Sequence, residues 1–144
     1  MENLCQLEGM SCFGCCGNSY KSVKEIKEDI KQNTAEFKEC VSLEDFRDRS
    51  GKWDLRESGV CRNVIENEGK IFCPLHPKFC GTELREDHCE PEYLCKTFKA
   101  FQNWKDKKKQ EFITFIKSKK LDSYRYSILM DANKLLDEFN EKTI

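Results

Sequence analysis

No stretch of this sequence stays apolar for the about 20 residues that a membrane-spanning helix needs. The first ten residues contain Glu2 and Glu8, no lysine or arginine, and no apolar core of signal-peptide length, so neither a membrane anchor nor a secretory leader is expected. Charge of one sign is missing as well: 25 basic residues face 26 acidic ones, for a formal net charge of −1. That balance excludes a global electrostatic pull toward nucleic acid or an anionic membrane. Only three prolines and seven glycines occur among 144 residues, none gathered into a linker, and no internal repeat is visible. The expectation is one domain over residues 1–144, in the cytoplasm, where reducing conditions make lasting disulfides rare.

Cysteine is abundant against that background. Ten are present, four of them within residues 5–16 in "CQLEGMSCFGCC", ending on the vicinal pair Cys15 and Cys16. A second field, "GVCRNVIENEGKIFCPLHPKFCGTELREDHCEPEYLC", runs from Gly59 to Cys95. Reactive thiols are costly to keep idle in a reducing compartment, so metal coordination is the leading reading of the clustered ones. Closely spaced pairs favour it, because two ligands then come from one turn. The candidate ligands are Cys5, Cys12, Cys15, Cys16, Cys61, Cys73, His76, Cys80, Cys89 and Cys95. Cys12-x2-Cys15 and Cys73-x2-His76 have turn spacing. His88 adjoins Cys89, and sequence neighbours seldom point the same way, so a supporting or surface role suits it better. Cys40, far in sequence from other thiols, reads as a small core residue.

The rest of the chain reads as helix with little strand. Residues 1–20 suggest an irregular knuckle turned by Gly14 and Gly17. Ser22 and Glu25 form a capping box before an amphipathic helix over 23–41, with Val23, Ile26, Ile30, Phe37 and Val41 on its apolar face. Ser42 and Asp45 open a shorter helix. Val60–Ile65 and Lys70–Phe72 flank a Glu-Asn-Glu-Gly turn, the pattern of a hairpin. From Pro91 the pattern is helical, through Tyr93, Leu94, Phe98, Phe101 and Trp104 and then Phe112, Ile113 and Ile116. A last helix from about Asp122 places Tyr124, Ile128, Ala132, Leu135, Leu136 and Phe139 on one side.

Several chemistries lack their residues. The spacing is neither a zinc ribbon nor a ferredoxin run, Gly69-Lys70 lacks the rest of a phosphate loop, and Cys12–Cys15 has no βαβ context for a thioredoxin-like pair. No single cysteine is marked as a nucleophile beside His76 or His88. Nine lysines against three acids at residues 91–120 give a local excess of six positive charges, interleaved with Phe98, Phe101 and Trp104. This is a possible nucleic-acid strip, though a solvated lysine face over an aromatic core is the commoner meaning. Glu83, Glu86 and Asp87, near Cys80 and Cys89, are available for acid–base work if a site forms there.

"CFGCC", then "GVC", "GKIFCPLHP", and finally Cys89 and Cys95 together resemble the cysteine-cluster proteins of the YkgJ type, described as zinc- or iron-chelating and often labelled iron–sulfur proteins. The resemblance spans residues 5–95. The family's C-x2-C-x2-CC is departed from, since six residues separate Cys5 from Cys12, and its Arg-Pro-x-x-Cys-Arg element has only Cys95-Lys96 as a counterpart. Cys12, Cys15, Cys16, Cys61, Cys73 and Cys95 carry over. The expected fold is a small α-rich α+β domain, with an irregular cysteine-rich portion and one or two short hairpins packed on C-terminal helices. The expected function is metal binding, with an Fe–S centre, 4Fe–4S among the options, for electron transfer or service to a partner enzyme. The alternative is a zinc-stabilised module that binds a protein or, less favoured, a nucleic acid. A catalytic role is left open.

Overall fold

The structure is a computed structural model, and it describes residues 4–7, 10–14, 16–17, 19–49, 55–85 and 95–142. In chain order the elements are β1 (Gln6–Leu7), β2 (Met10–Ser11), α1 (Val23–Glu39), α2 (Leu43–Asp48), β3 (Ile65–Asn67), β4 (Lys70–Phe72), α3 (Pro77–Cys80), α4 (Lys96–Gln102), α5 (Asp106–Ser118), α6 (Ser123–Asp131) and α7 (Lys134–Lys142). The fold is thus α-rich α+β with two small antiparallel sheets, β1–β2 and β3–β4. No helix among the described residues is long and apolar enough to cross a membrane.

Two compact units divide the chain: Met1–Cys15 with Leu94–Ile144, and Cys16–Tyr93. The first has its own core, in which Leu4, Leu7 and Met10 meet Phe101, Phe112, Ile113, Ile116, Tyr126, Met130, Leu135 and Phe139. Aromatic edges tighten it: Trp104 meets Phe112 edge-on at 5.4 Å between centroids, and Phe112 lies 4.9 Å from Phe139. The second unit packs α1 against β3, and Phe46, Ile65 and Leu75 form a buried cluster beside Phe37, Cys40 and Cys73.

Local sequence explains most boundaries. The Ser22 hydroxyl accepts from the Glu25 N–H at 3.2 Å and starts α1; the Ser42 hydroxyl does the same for Asp45 in α2. The β3–β4 turn places Glu68 and Gly69 at φ 52° and 79°, the paired positive dihedrals of a two-residue hairpin turn. Helix α1 stops at Glu39 with Cys40 as its cap, so Val41 is outside the helix and 91% exposed, not on its buried face. The helix expected from Asp122 is two helices, because Asn133 adopts φ 59°, a left-handed conformation that asparagine tolerates. Its first half also buries a different face: Ser123, Tyr126, Ser127 and Met130 are buried, Tyr124 and Ile128 only in part. The N-terminal knuckle includes the regular pair β1–β2. Pro91, Tyr93 and Leu94, expected to open the C-terminal helical region, lie outside the described residues, and α4 begins at Lys96.

Candidate thiolate centres

In the first unit, β1 pairs with β2 in the register Gln6 with Ser11 and Leu7 with Met10. One step further along the same register, the Cys12 N–H donates to the Cys5 carbonyl at 2.8 Å. Cys5 and Cys12 therefore stand opposite one another across an antiparallel pair, where side chains leave from the same face. The Gly14 N–H donates to the Cys12 sulfur at 3.4 Å, a backbone bond two residues ahead that offsets charge on a thiolate. Cys95, 83 residues beyond Cys12, caps α4, and its sulfur accepts from the Phe98 N–H at 3.4 Å. Cys12 and Cys95 pack against the same core cluster.

Helix α6 holds this arrangement in place. The Ser123 hydroxyl accepts from the Ser11 N–H at 2.8 Å and the Ser127 hydroxyl from the Phe13 N–H at 2.9 Å, so the amides on both sides of Cys12 end on one helix. The Ser127 hydroxyl donates in turn to the Ser123 carbonyl at 2.7 Å. Gly14 is required by the approach, since a Cβ there would stand 2.8 Å from the Ser127 carbonyl oxygen. Tyr126 is fully buried and donates to the Leu4 carbonyl at 2.5 Å, next to Cys5. Burial first, and then the nearby thiolate charge of Cys12, Cys5 and Cys95, pushes the Tyr126 hydroxyl far above its ordinary value.

The second unit repeats the device. Gly17 bridges Val60 in antiparallel sense, and the Cys61 N–H donates to the Cys16 carbonyl at 2.8 Å, which sets Cys16 opposite Cys61. Again an amide two residues ahead, that of Asn63, donates to the cysteine sulfur, here Cys61, at 3.5 Å. Cys73 directly follows Phe72, the partner of Ile65, while the Cys61 carbonyl accepts from Val64, so both cysteines sit at one end of the β3–β4 hairpin. The bracing is charged rather than hydroxylic. The Asn33 amide donates to the Cys61 and Val64 carbonyls at 3.0 and 2.9 Å and accepts from Arg56 at 2.9 Å. Glu36 pairs with Arg49 at 2.8 Å and Arg56 at 2.6 Å, and Arg49 reaches the Asn63 side chain at 2.9 Å and the Arg62 carbonyl. Burial alone would raise the Glu36 carboxyl, but hydrogen bonds from Gln32, Arg49 and Arg56 outweigh it and bring it down to about 2.

The other expected ligands are placed differently. The Cys80 thiol donates to the carbonyls of Thr82 at 3.0 Å and Leu75 at 3.5 Å. The His76 N–H closes a turn onto the Cys73 carbonyl, and its ring lies near Glu83, whose carboxyl is lowered first by the hydrogen bond from Arg85 and to a smaller degree by His76. Cys15, Cys89, His88, Glu86 and Asp87 lie outside the described residues. Cys40 packs half-buried against the Phe46 cluster. Among the described residues, no three His, Cys, Asp or Glu side chains are gathered closely enough to hold a metal ion as they stand.

The lysine-rich region has its aromatic rings turned inward. Phe101 and Phe112 are buried, while Lys108 and Lys109 cover the rings of Trp104 and Phe101 at 4.3 and 5.4 Å. Sequence reasoning missed Ser123, Ser127 and Tyr126, and also Asn33, Glu36, Arg49 and Arg56. The one available signal was that serines interrupt the apolar spacing of α6. Compared with family models, curated proteins and solved structures, the chain matches none.

Proposed function

We propose that this chain is a metal-binding protein whose first-unit centre is built on Cys5, Cys12 and Cys95. The observation that carries the reading is the opposed pair Cys5 and Cys12 with Cys95, from a distant part of the chain, packed on the same core. Three sulfur donors with no histidine suit soft metals, namely iron in a cluster or zinc. Ligation would draw the sulfurs together, as expected where metal binding and local folding are coupled. Thr97, in the first turn of the helix that Cys95 caps, has a buried hydroxyl with no hydrogen-bond partner among the described residues.

An Fe–S centre serving electron transfer or a partner enzyme is the preferred occupant, because the donors are thiolates and the apolar packing at Cys12 and Cys95 shields a cluster from water. Zinc is the second reading, favoured by the small size of each unit, since small domains commonly need a metal staple. Elemental analysis with a visible spectrum, on protein purified without oxygen, separates them. Iron with acid-labile sulfide and a brown colour supports the cluster, and colourless zinc supports the staple. A protein that folds and stays metal-free when supplied with iron and sulfide or with zinc would refute both.

A further inference from the structure

Among the described residues, the same backbone device is present in each unit. Cys5 faces Cys12 and Cys16 faces Cys61 across antiparallel pairs, and in each pair the later cysteine accepts at sulfur from the amide two residues ahead. A further cysteine accompanies each pair: Cys95 packs on the same core as Cys12, and Cys73 lies at the same end of the β3–β4 hairpin as Cys61. Opposed residues of an antiparallel pair leave from one face with their Cβ atoms about 4.5–5.5 Å apart, close enough for two thiolates to share one ion. The fields that look continuous in sequence are therefore divided within the run "CFGCC", with Cys12 belonging to one pair and Cys16 to the other.

We propose that the chain carries a second thiolate metal site in residues 16–93, built on the opposed pair Cys16 and Cys61 and on Cys73, which the ion draws in on binding because the three sulfurs are not gathered as they stand. This rests on the metal-binding reading of the first unit but goes beyond it in number and place. The site takes a soft divalent cation, with zinc as the reference ion, and Cys61, 6% exposed, is its inner ligand. Asn33 and Arg49 are positioning residues: they fix the Cys61–Asn63 turn from which the sulfur and its amide donor come.

Native mass spectrometry of the full chain, supplied with zinc under reducing and anaerobic conditions, counts the sites. The expected result is two zinc ions in the unsubstituted chain, and one in each of Cys12→Ser and Cys61→Ser. A single zinc in the unsubstituted chain that Cys12→Ser loses and Cys61→Ser keeps overturns the second site. So does a Cys61→Ser chain that keeps both ions. A chain that takes one ion, lost in Cys61→Ser and kept in Cys12→Ser, would leave the second site standing and overturn zinc as the occupant of the first unit. No zinc at all overturns both for this ion.

Discussion

Around Cys12 the backbone is held by neutral hydroxyls, those of Ser123, Ser127 and Tyr126, all from one helix face. Around Cys61 it is held by an amide and a carboxylate–guanidinium network spread over α1, α2 and the loop before Cys61. Two similar cysteine pairs thus rest on supports of different chemistry. A hydroxyl clamp is indifferent to pH and salt over the ordinary range, whereas a network centred on Glu36 responds to both. The difference makes the two units separately addressable by experiment, and hydrogen exchange resolved by peptide reads each one independently.

The largest effect should come from Tyr126→Ala. It empties a fully buried aromatic site and should cost the first unit about 3–5 kcal/mol, with exchange in residues 16–93 unchanged. Equal acceleration in both units would abolish the distinction between them. Glu36→Gln tests the other side: Arg49 and Arg56 lose their shared carboxylate, and about 2 kcal/mol should vanish from the second unit only. Ser127→Ala leaves the buried Phe13 amide without its acceptor and should cost the first unit about 1–3 kcal/mol. The more telling readout is metal affinity at the Cys12 centre, which should fall in Ser127→Ala and recover in Ser127→Thr if the hydroxyl, rather than side-chain size, is what positions the loop.

Acid sharpens the comparison further. The Glu36 carboxyl is near 2 in the folded chain against an ordinary 4.5, so between these values the unfolded chain binds more protons. Its contribution is complete above about 4.5 and is lost as pH falls toward 2. Metal-free protein should therefore lose protection in residues 16–93 over that window, and Glu36→Gln should remove this component of the acid transition. At the small end, Val41→Ser should change stability by no more than about 0.5 kcal/mol, because a residue 91% exposed outside the helix has no packing to lose.

Much of this fold was legible from local signals. The Ser22 and Ser42 caps, the hairpin ending at Phe72 and the aromatic face through Phe101 and Phe112 follow from short-range rules, and the structure has each of them. Val41 misled because it continues an apolar spacing beyond the point where the backbone turns at Cys40. Helix α6 misled for a deeper reason: its buried face carries serines, whose hydroxyls are satisfied by the amides of Ser11 and Phe13 more than 110 residues away in sequence. No window analysis reports a polar residue as buried when its partner is that distant. The candidate cysteines were visible in sequence, but their division was not. Cys12 and Cys16 are close in sequence, and only pairing across antiparallel bridges assigns them to Cys5 and Cys61 respectively.

The most direct test of a centre built on Cys5, Cys12 and Cys95 is the metal content of Cys95→Ser beside Cys40→Ser, both purified as full-length chains without oxygen. A centre closed by Cys95 requires that Cys95→Ser lose the metal of the first unit while Cys40→Ser retains as much as the unsubstituted protein. Undiminished metal in Cys95→Ser would contradict it, because the distant cysteine that closes the set would then hold nothing.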